Sequence, residues 1–170
     1  NSHALSLATA EAVLQVMLDE DMVGNAQRMG VVMRAEMDRI TAAHPSVREG
    51  RSIGLFGMMD IQKNSKGELI APYNGTHPAM AAFGKFLKDN GLFTFVRWSH
   101  FMCNPPLCIT EEQLKEAFAI IDRGLEAGRA IVLLQEAVGV LPVGQGADRE
   151  IDLRAEEDLD GTIRRFLTGS

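Results

Sequence analysis

The sequence predicts an α+β fold (α/β-type), a small, mainly antiparallel sheet covered on one face by helices. Three observations predict it. Apolar residues recur at helical spacing from the N-terminus to about residue 43, and again from 76 to 91 and from 110 to 128. Short runs rich in phenylalanine, isoleucine and methionine lie between those stretches, bounded by turn residues, and read as strands. Taken in order, the elements run α-α-β-β-α-β-β-α and are followed by a tail. A chain of 170 residues is the size of one ordinary domain and can bury a real core.

The first helix is carried by "ALSLATAEAVLQVML", where Leu7, Ala10, Leu14 and Met17 keep a helical rhythm. The second, "DEDMVGNAQRMGVVMRAEMDRI", repeats it through Met22, Ala26, Met29, Met33, Met37 and Ile40. Methionines at that spacing read as adaptable core filler rather than a cofactor groove. His44 and Pro45 close the helix. "RSIGLFGMMDIQ" then reads as one buried strand over 52–62, with Gly54 and Gly57 marking close backbone packing. "KNSKGE" is turn chemistry, followed by the short apolar stretch "LIAPYNG".

"THPAMAAFGKFLKDNG" predicts a helix with Thr76 as N-cap, Pro78 in the first turn and Gly91 just past the end. "LFTFVRW" and "SHFMCN" predict two short strands or one bent one, stopped by Pro105 and Pro106, which have no backbone N–H to donate. Thr110 and Gln113 match a capping box at the head of "TEEQLKEAFAIIDRGLEAG", with Glu111 and Glu112 in the positive first turn. Leu114, Ala117, Phe118 and Ile121 form its apolar face, and the character of the sequence changes after Gly128.

A net charge of −6 with dispersed basic residues argues against nucleic acid as the main partner. No stretch approaches the ~20 apolar residues of a membrane helix, and the N-terminus lacks the pattern of a signal peptide. Two cysteines are too few for a secreted disulfide framework, so a cytoplasmic location is expected.

Cys103 and Cys108, with His3, His44, His77 and His100, show no paired zinc spacing, so two ordinary buried thiols are expected. A nucleophile pair from Cys103 and His100 lacks a third, orienting group. "GLFG" lacks the spacing of a phosphate-binding loop. Asp60 and Glu68 flank a turn in different elements and read as solvated charges rather than an acid–base pair. Arg97, at a strand end beside Trp98, can clamp a carboxylate in bidentate fashion or lie as an edge arginine over the aromatic ring.

Several strings in order resemble the C-terminal small domain of class III aminotransferases, pyridoxal-phosphate enzymes of fold type I acting on ω-amino acids and amines. They are "HALSLATAEAVLQVMLDEDMVGNAQRMGVVMRAEM", "HPSVREGRSIGLFGMMDI" and "NPPLCITEEQLKEAFAIIDRGLE". His3 opens the alanine-rich helix, and Pro105, Pro106, Leu107, Ile109 and Thr110 match the family's proline-proline-leucine turn and the helix cap after it. The resemblance covers residues 1–127, and leaves 128–170 as an extension.

The resemblance implies a C-terminal part of a transaminase moving an amino group between an amine or ω-amino acid and a keto acid such as pyruvate. It implies that pyridoxal 5'-phosphate binds the full-length enzyme, not this segment alone. Family members hold it through a lysine in a preceding large domain, and Lys63, Lys66, Lys85, Lys88 and Lys115 all fall in turns or helices of the matched small domain. The isolated chain is therefore expected to be inactive. Many members place a carboxylate-binding arginine three residues before the first proline of the turn, where this chain has Met102. The stretch 97–104 is expected to line a pocket entrance through Arg97, His100, Met102 and Asn104, with no catalytic or metal-binding residue in the segment.

The family's dimeric habit implies a homo-oligomer. Leu7, Leu14, Met17, Met22, Met29 and Met33 are the expected exposed apolar set, which self-association or the segment "IVLLQEAVGVLPV" would cover. The competing expectation is a freestanding, non-enzymatic binding or assembly module with an acidic tail.

Overall fold

The computed structural model describes residues 3–137, with side chains as far as Gly128. Among them lie helices α1 (Ala4–Asp19), α2 (Met22–Ala43), α3 (Pro78–Asp89) and α4 (Glu111–Ala137), and strands β1 (Val47–Ile53), β2 (Phe56–Ile61), β3 (Val96–Arg97) and β4 (His100–Cys103). The strands form one antiparallel sheet in the order β1-β2-β4-β3. The α+β fold is the one the sequence predicts, and the α-α-β-β-α-β-β-α string recurs, but its first two strands are formed by other residues than expected.

Alternation along the strands separates the sheet's two faces. Met59, Ile61, Phe101 and Cys103 are buried and join the core built with Met33, Met37 and Ile40 of α2, Phe83 and Leu87 of α3, and Leu114, Phe118 and Ile121 of α4. The rings of Phe83 and Phe101 lie 5.0 Å apart across the α3–sheet boundary. The opposite face, carrying Phe56, Met58, His100 and Met102, is left open by the helices.

Two local expectations change. The stretch 52–62 is not one strand but the tip and second arm of a β1–β2 hairpin, in which Ile53 faces Phe56 and Gly54 turns the chain at a φ of 55°. Gly54 also lies against α2. A Cβ on Gly30 would stand 2.7 Å from the Gly54 Cα, so helix and turn meet backbone to backbone. "LIAPYNG" adds no strand, only an isolated bridge between Gln62 and Leu69.

At α3 the N-cap is His77, not Thr76, and its Nδ1 accepts from the Ala79 N–H at 3.2 Å. The reason is Pro78, which holds the residue before it in extended backbone. Gly91 follows the helix in the left-handed region as expected. The Thr110–Gln113 capping box is formed in both directions, at 3.1 and 3.3 Å. Beyond it, α4 runs through Gly128 without a break and continues to Ala137. The segment expected to cover the helix pair, "IVLLQEAVGVLPV", has its side chains outside the described residues, as does the rest of the tail.

The first helix has no buried residue, and Leu7 and Leu14 are 58% and 60% exposed. Met33, expected in that exposed set, is instead fully buried in the core, and Met29 is half-buried against it. The second helix turns Met29, Met33 and Met37 into the core, so Leu7 and Leu14 of α1 remain as the exposed members of that set.

Candidate functional site

Strand register decides which of the expected lip residues meet. Arg97 pairs with His100 across β3–β4, His100 with Asp60, and Met102 with Met58 across β4–β2. Directly opposed residues share a face. Arg97, His100 and Met102 therefore stand together on the open face of the sheet, beside Asp60 and Met58. Asn104 continues the same alternation past the strand end, where its Oδ1 accepts the Gly57 N–H at 3.0 Å and ties the rim to β2.

The arginine is exposed, and its guanidinium carbon lies 4.4 Å from the Trp98 ring centroid and 5.9 Å from that of Phe95. Of the two readings of Arg97, the geometry shows the arginine laid over an aromatic face. Trp98 also touches Tyr73, at 4.3 Å between centroids, and meets His100 edge-on at 5.5 Å.

Asp60 corrects the sequence reading. It is buried and hydrogen-bonded by Arg51 at 2.7 Å, whereas Glu68 is an exposed partner of Lys63. The pair Arg51–Asp60 is diagonal across the β1–β2 hairpin, joining the directly opposed pairs Glu49–Asp60 and Arg51–Met58, so it follows from the hairpin register and not from local sequence. Its only signal in the sequence is an acid placed inside an otherwise apolar strand.

The thiol alternatives fall away on geometry. Cys103 points into the core while His100, three residues earlier, belongs to the opposite face. Burial also pushes the Cys103 thiol up to about 12, which favours the protonated form over the nucleophilic thiolate. Cys108 is exposed rather than buried as expected. Among the described residues, no three His, Cys, Asp or Glu side chains gather as a metal site.

A cavity of about 690 Å³ opens away from the lip, floored by Ile61, Ile70, Met80, Phe83 and Leu125. None of Arg97, His100, Met102 and Asn104 borders it. Its ionisable groups are occupied: Lys63 is paired with Glu68, and His77 caps α3. Burial lowers the His77 pKa, which favours the neutral ring that the cap requires.

Comparison with known proteins gives a consistent result. The aminotransferase class-III family matches residues 2–125. Ornithine aminotransferase 2 of Staphylococcus saprophyticus is 30% identical over 116 residues, 65% of this chain and 24% of its own length. An uncharacterized aminotransferase of Sinorhizobium fredii is 26% identical over 75% of this chain and 27% of its own. Among solved structures, taurine:2-oxoglutarate aminotransferase from Bifidobacterium kashiwanohense, in complex with PLP and glutamate, superposes with a TM-score of 0.69. It is 33% identical, over 73% of this chain and 28% of that one. An omega transaminase from Pseudomonas jessenii, at 21% identity and a TM-score of 0.62, shares the fold over 70% of this chain and 26% of its own. The chain spans about a quarter of the length of the curated relatives it matches.

The residues present can be tested against pyridoxal phosphate, which requires a lysine amine in an enclosed, ring-walled pocket. All five lysines, Lys63, Lys66, Lys85, Lys88 and Lys115, are exposed. Three are engaged in ion pairs, with Glu68 at 2.8 Å, Asp89 at 2.6 Å and Glu111 at 2.6 Å. These residues do not fit the cofactor by themselves.

Proposed function

The chain belongs to the class III aminotransferases, and from that premise we propose that it is the C-terminal part of a transaminase whose pyridoxal phosphate is held outside this segment. The enzyme moves an amino group between an amine or ω-amino acid and a keto acid such as pyruvate. This segment's part is to wall the substrate entrance. The observation that carries the reading is the open sheet face, where Arg97, His100 and Met102 stand together within a family match over 2–125.

Arg97 is the carboxylate-binding group of that wall, since the thioether of Met102 offers no N–H donor. His100, opposite it, adds a second polar group, and Met102 shapes the floor. Asn104, whose Oδ1 is engaged by Gly57, retains its amide N–H₂ for the substrate side. A reducing, cytoplasmic setting suits the free thiols of Cys103 and Cys108. No helix among the described residues is long and apolar enough to cross a membrane.

Incubated with pyridoxal phosphate, an amine donor and pyruvate, the 170-residue chain should form no alanine above the cofactor-only background. Turnover by the chain alone would overturn the assignment of the cofactor to another segment. The reading frame upstream of Asn1 should continue into a stretch carrying the cofactor lysine. A start codon at that point would favour a freestanding module.

The enzyme is a homo-oligomer in this reading, and the bare apolar side of α1 supports it. Light scattering on a version ending at Gly128 should give a mass above that of a monomer. A clean monomer would mean that α1 needs no cover.

A further inference from the structure

Among the described residues, three other than glycine have positive φ: Asp21, Asn74 and Trp98. Asp and Asn tolerate the left-handed region because their short polar side chains bond locally, whereas a bulky ring there is a genuine outlier. Trp98, at a φ of 53°, is the first residue of the two-residue loop between the paired Arg97 and His100. Glycine or asparagine ordinarily takes such a place. The tryptophan therefore sits where the backbone disfavours it, and strain of this kind marks residues held for what their side chains do.

The geometry shows what that side chain does. Consecutive residues of a strand point to opposite faces, so Arg97 and Trp98 could not meet in regular β structure. The left-handed turn brings the indole under its own neighbour, with the guanidinium carbon 4.4 Å from the ring centroid. Tyr73 and His100 flank the ring, at 4.3 and 5.5 Å between centroids. No carboxylate among the described residues lies within ion-pair reach of Arg97, so the ring contacts are what order its guanidinium. A guanidinium held over a ring by cation–π contact still has N–H groups to offer a planar, bidentate anion.

We propose that Trp98 is a positioning residue, holding the Arg97 guanidinium over its ring so that the arginine's N–H groups take the carboxylate of a small organic acid or amino acid. The proposal rests on the reading of Arg97 as the carboxylate group of the lip. Trp98 itself touches no reacting atom.

The test uses the full chain, with succinate as the probe, and succinamide and sodium chloride at matched ionic strength as controls. Binding is followed by NMR at the Arg97 Nε–H and at the His100 backbone N–H. The wild-type chain should give a saturable shift with succinate only, and Trp98→Phe, which keeps a ring face, should stay close to it. Trp98→Gly, which suits the left-handed backbone, should melt no lower than wild type yet bind succinate about tenfold more weakly. Arg97→Gln should not bind. Wild-type affinity in Trp98→Gly, with binding still lost in Arg97→Gln, would overturn the role of Trp98 and leave the carboxylate reading standing. A wild-type chain that does not respond to succinate, or an Arg97→Gln variant that does, would overturn that reading and this proposal with it. A lowered melting temperature in Trp98→Gly with unchanged affinity would make the ring purely structural.

Discussion

Replacing Phe101 by alanine is expected to lower stability by about 3–5 kcal/mol, the range for removing a fully buried aromatic ring. Phe101 has no exposed surface and sits on β4 between Met59 of β2 and Val96 of β3. Above it the ring of Phe83 stands 5.0 Å away at 60°, a tilted contact that adds to the area buried. The site is walled by sheet on one side and helix on the other, so it can collapse little around the void. Against a typical total of ~5–15 kcal/mol, the loss is a large part of what holds the domain together. Urea denaturation of the full chain measures it through the unfolding midpoint. Phe101→Leu, which keeps most of the volume, should cost under about 1.5 kcal/mol. Equal and small losses in both variants would mean that the helices do not sit on this face of the sheet.

The same core shows how far the sequence could be read. Met33, Met37 and Ile40 declare their shared face by spacing alone, and the boxes and prolines at the helix ends act locally, so these features were legible. The β1–β2 hairpin was not. Its turn holds Leu55, which is buried, so the apolar run passes through the turn unbroken and imitates one strand. Gly54 was the signal, and its φ of 55° gives it meaning only once the two arms are paired. Thr76 looked like a better cap than His77 because propensity ranks the residue types, while the backbone restriction from Pro78 decided the position.

At the lip, Arg97, His100 and Met102 could be named from their place before the proline turn. The partners that shape them come from register. Asp60 reads as solvated until β1 brings Arg51 to it, and the arginine-over-ring alternative could be named beside Trp98 but not the left-handed backbone that accompanies it. Long-range pairing and a single left-handed residue are the two things a local pattern does not carry. The end of α4 has a related cause. Gly128 is a common stop, but nothing obliges a helix to end where glycine merely weakens it.

Removing the Asp122 carboxylate should destabilise the α2–α4 contact by about 1–3 kcal/mol, the cost of leaving a buried polar group without its partner. Asp122 on α4 accepts from the His44 Nε2–H at 2.5 Å and from Arg39 at 2.6 Å, and Arg39 is also held by Glu36 at 2.9 Å. His44, at the end of α2, is buried and has most to lose, whereas Arg39 is half exposed and can return to water. Burial of Asp122 works to raise its pKa, but the hydrogen bonds from Arg39 and His44 outweigh it and leave the carboxyl below its ordinary value. The sign of the pH effect follows. The unfolded chain takes up its proton near pH ~3.9, while the folded chain resists until lower pH. The contribution is therefore complete above about pH 4 and is lost as pH falls from there through the folded pKa. Asp122→Ala should show the loss at neutral pH, and Asp122→Asn a smaller one, since its amide oxygen still accepts one bond. Both should flatten the decline in stability between about pH 4 and 2 relative to wild type. An unchanged acid limb in Asp122→Asn would show that other carboxylates set it and that the Asp122 charge adds nothing to folding.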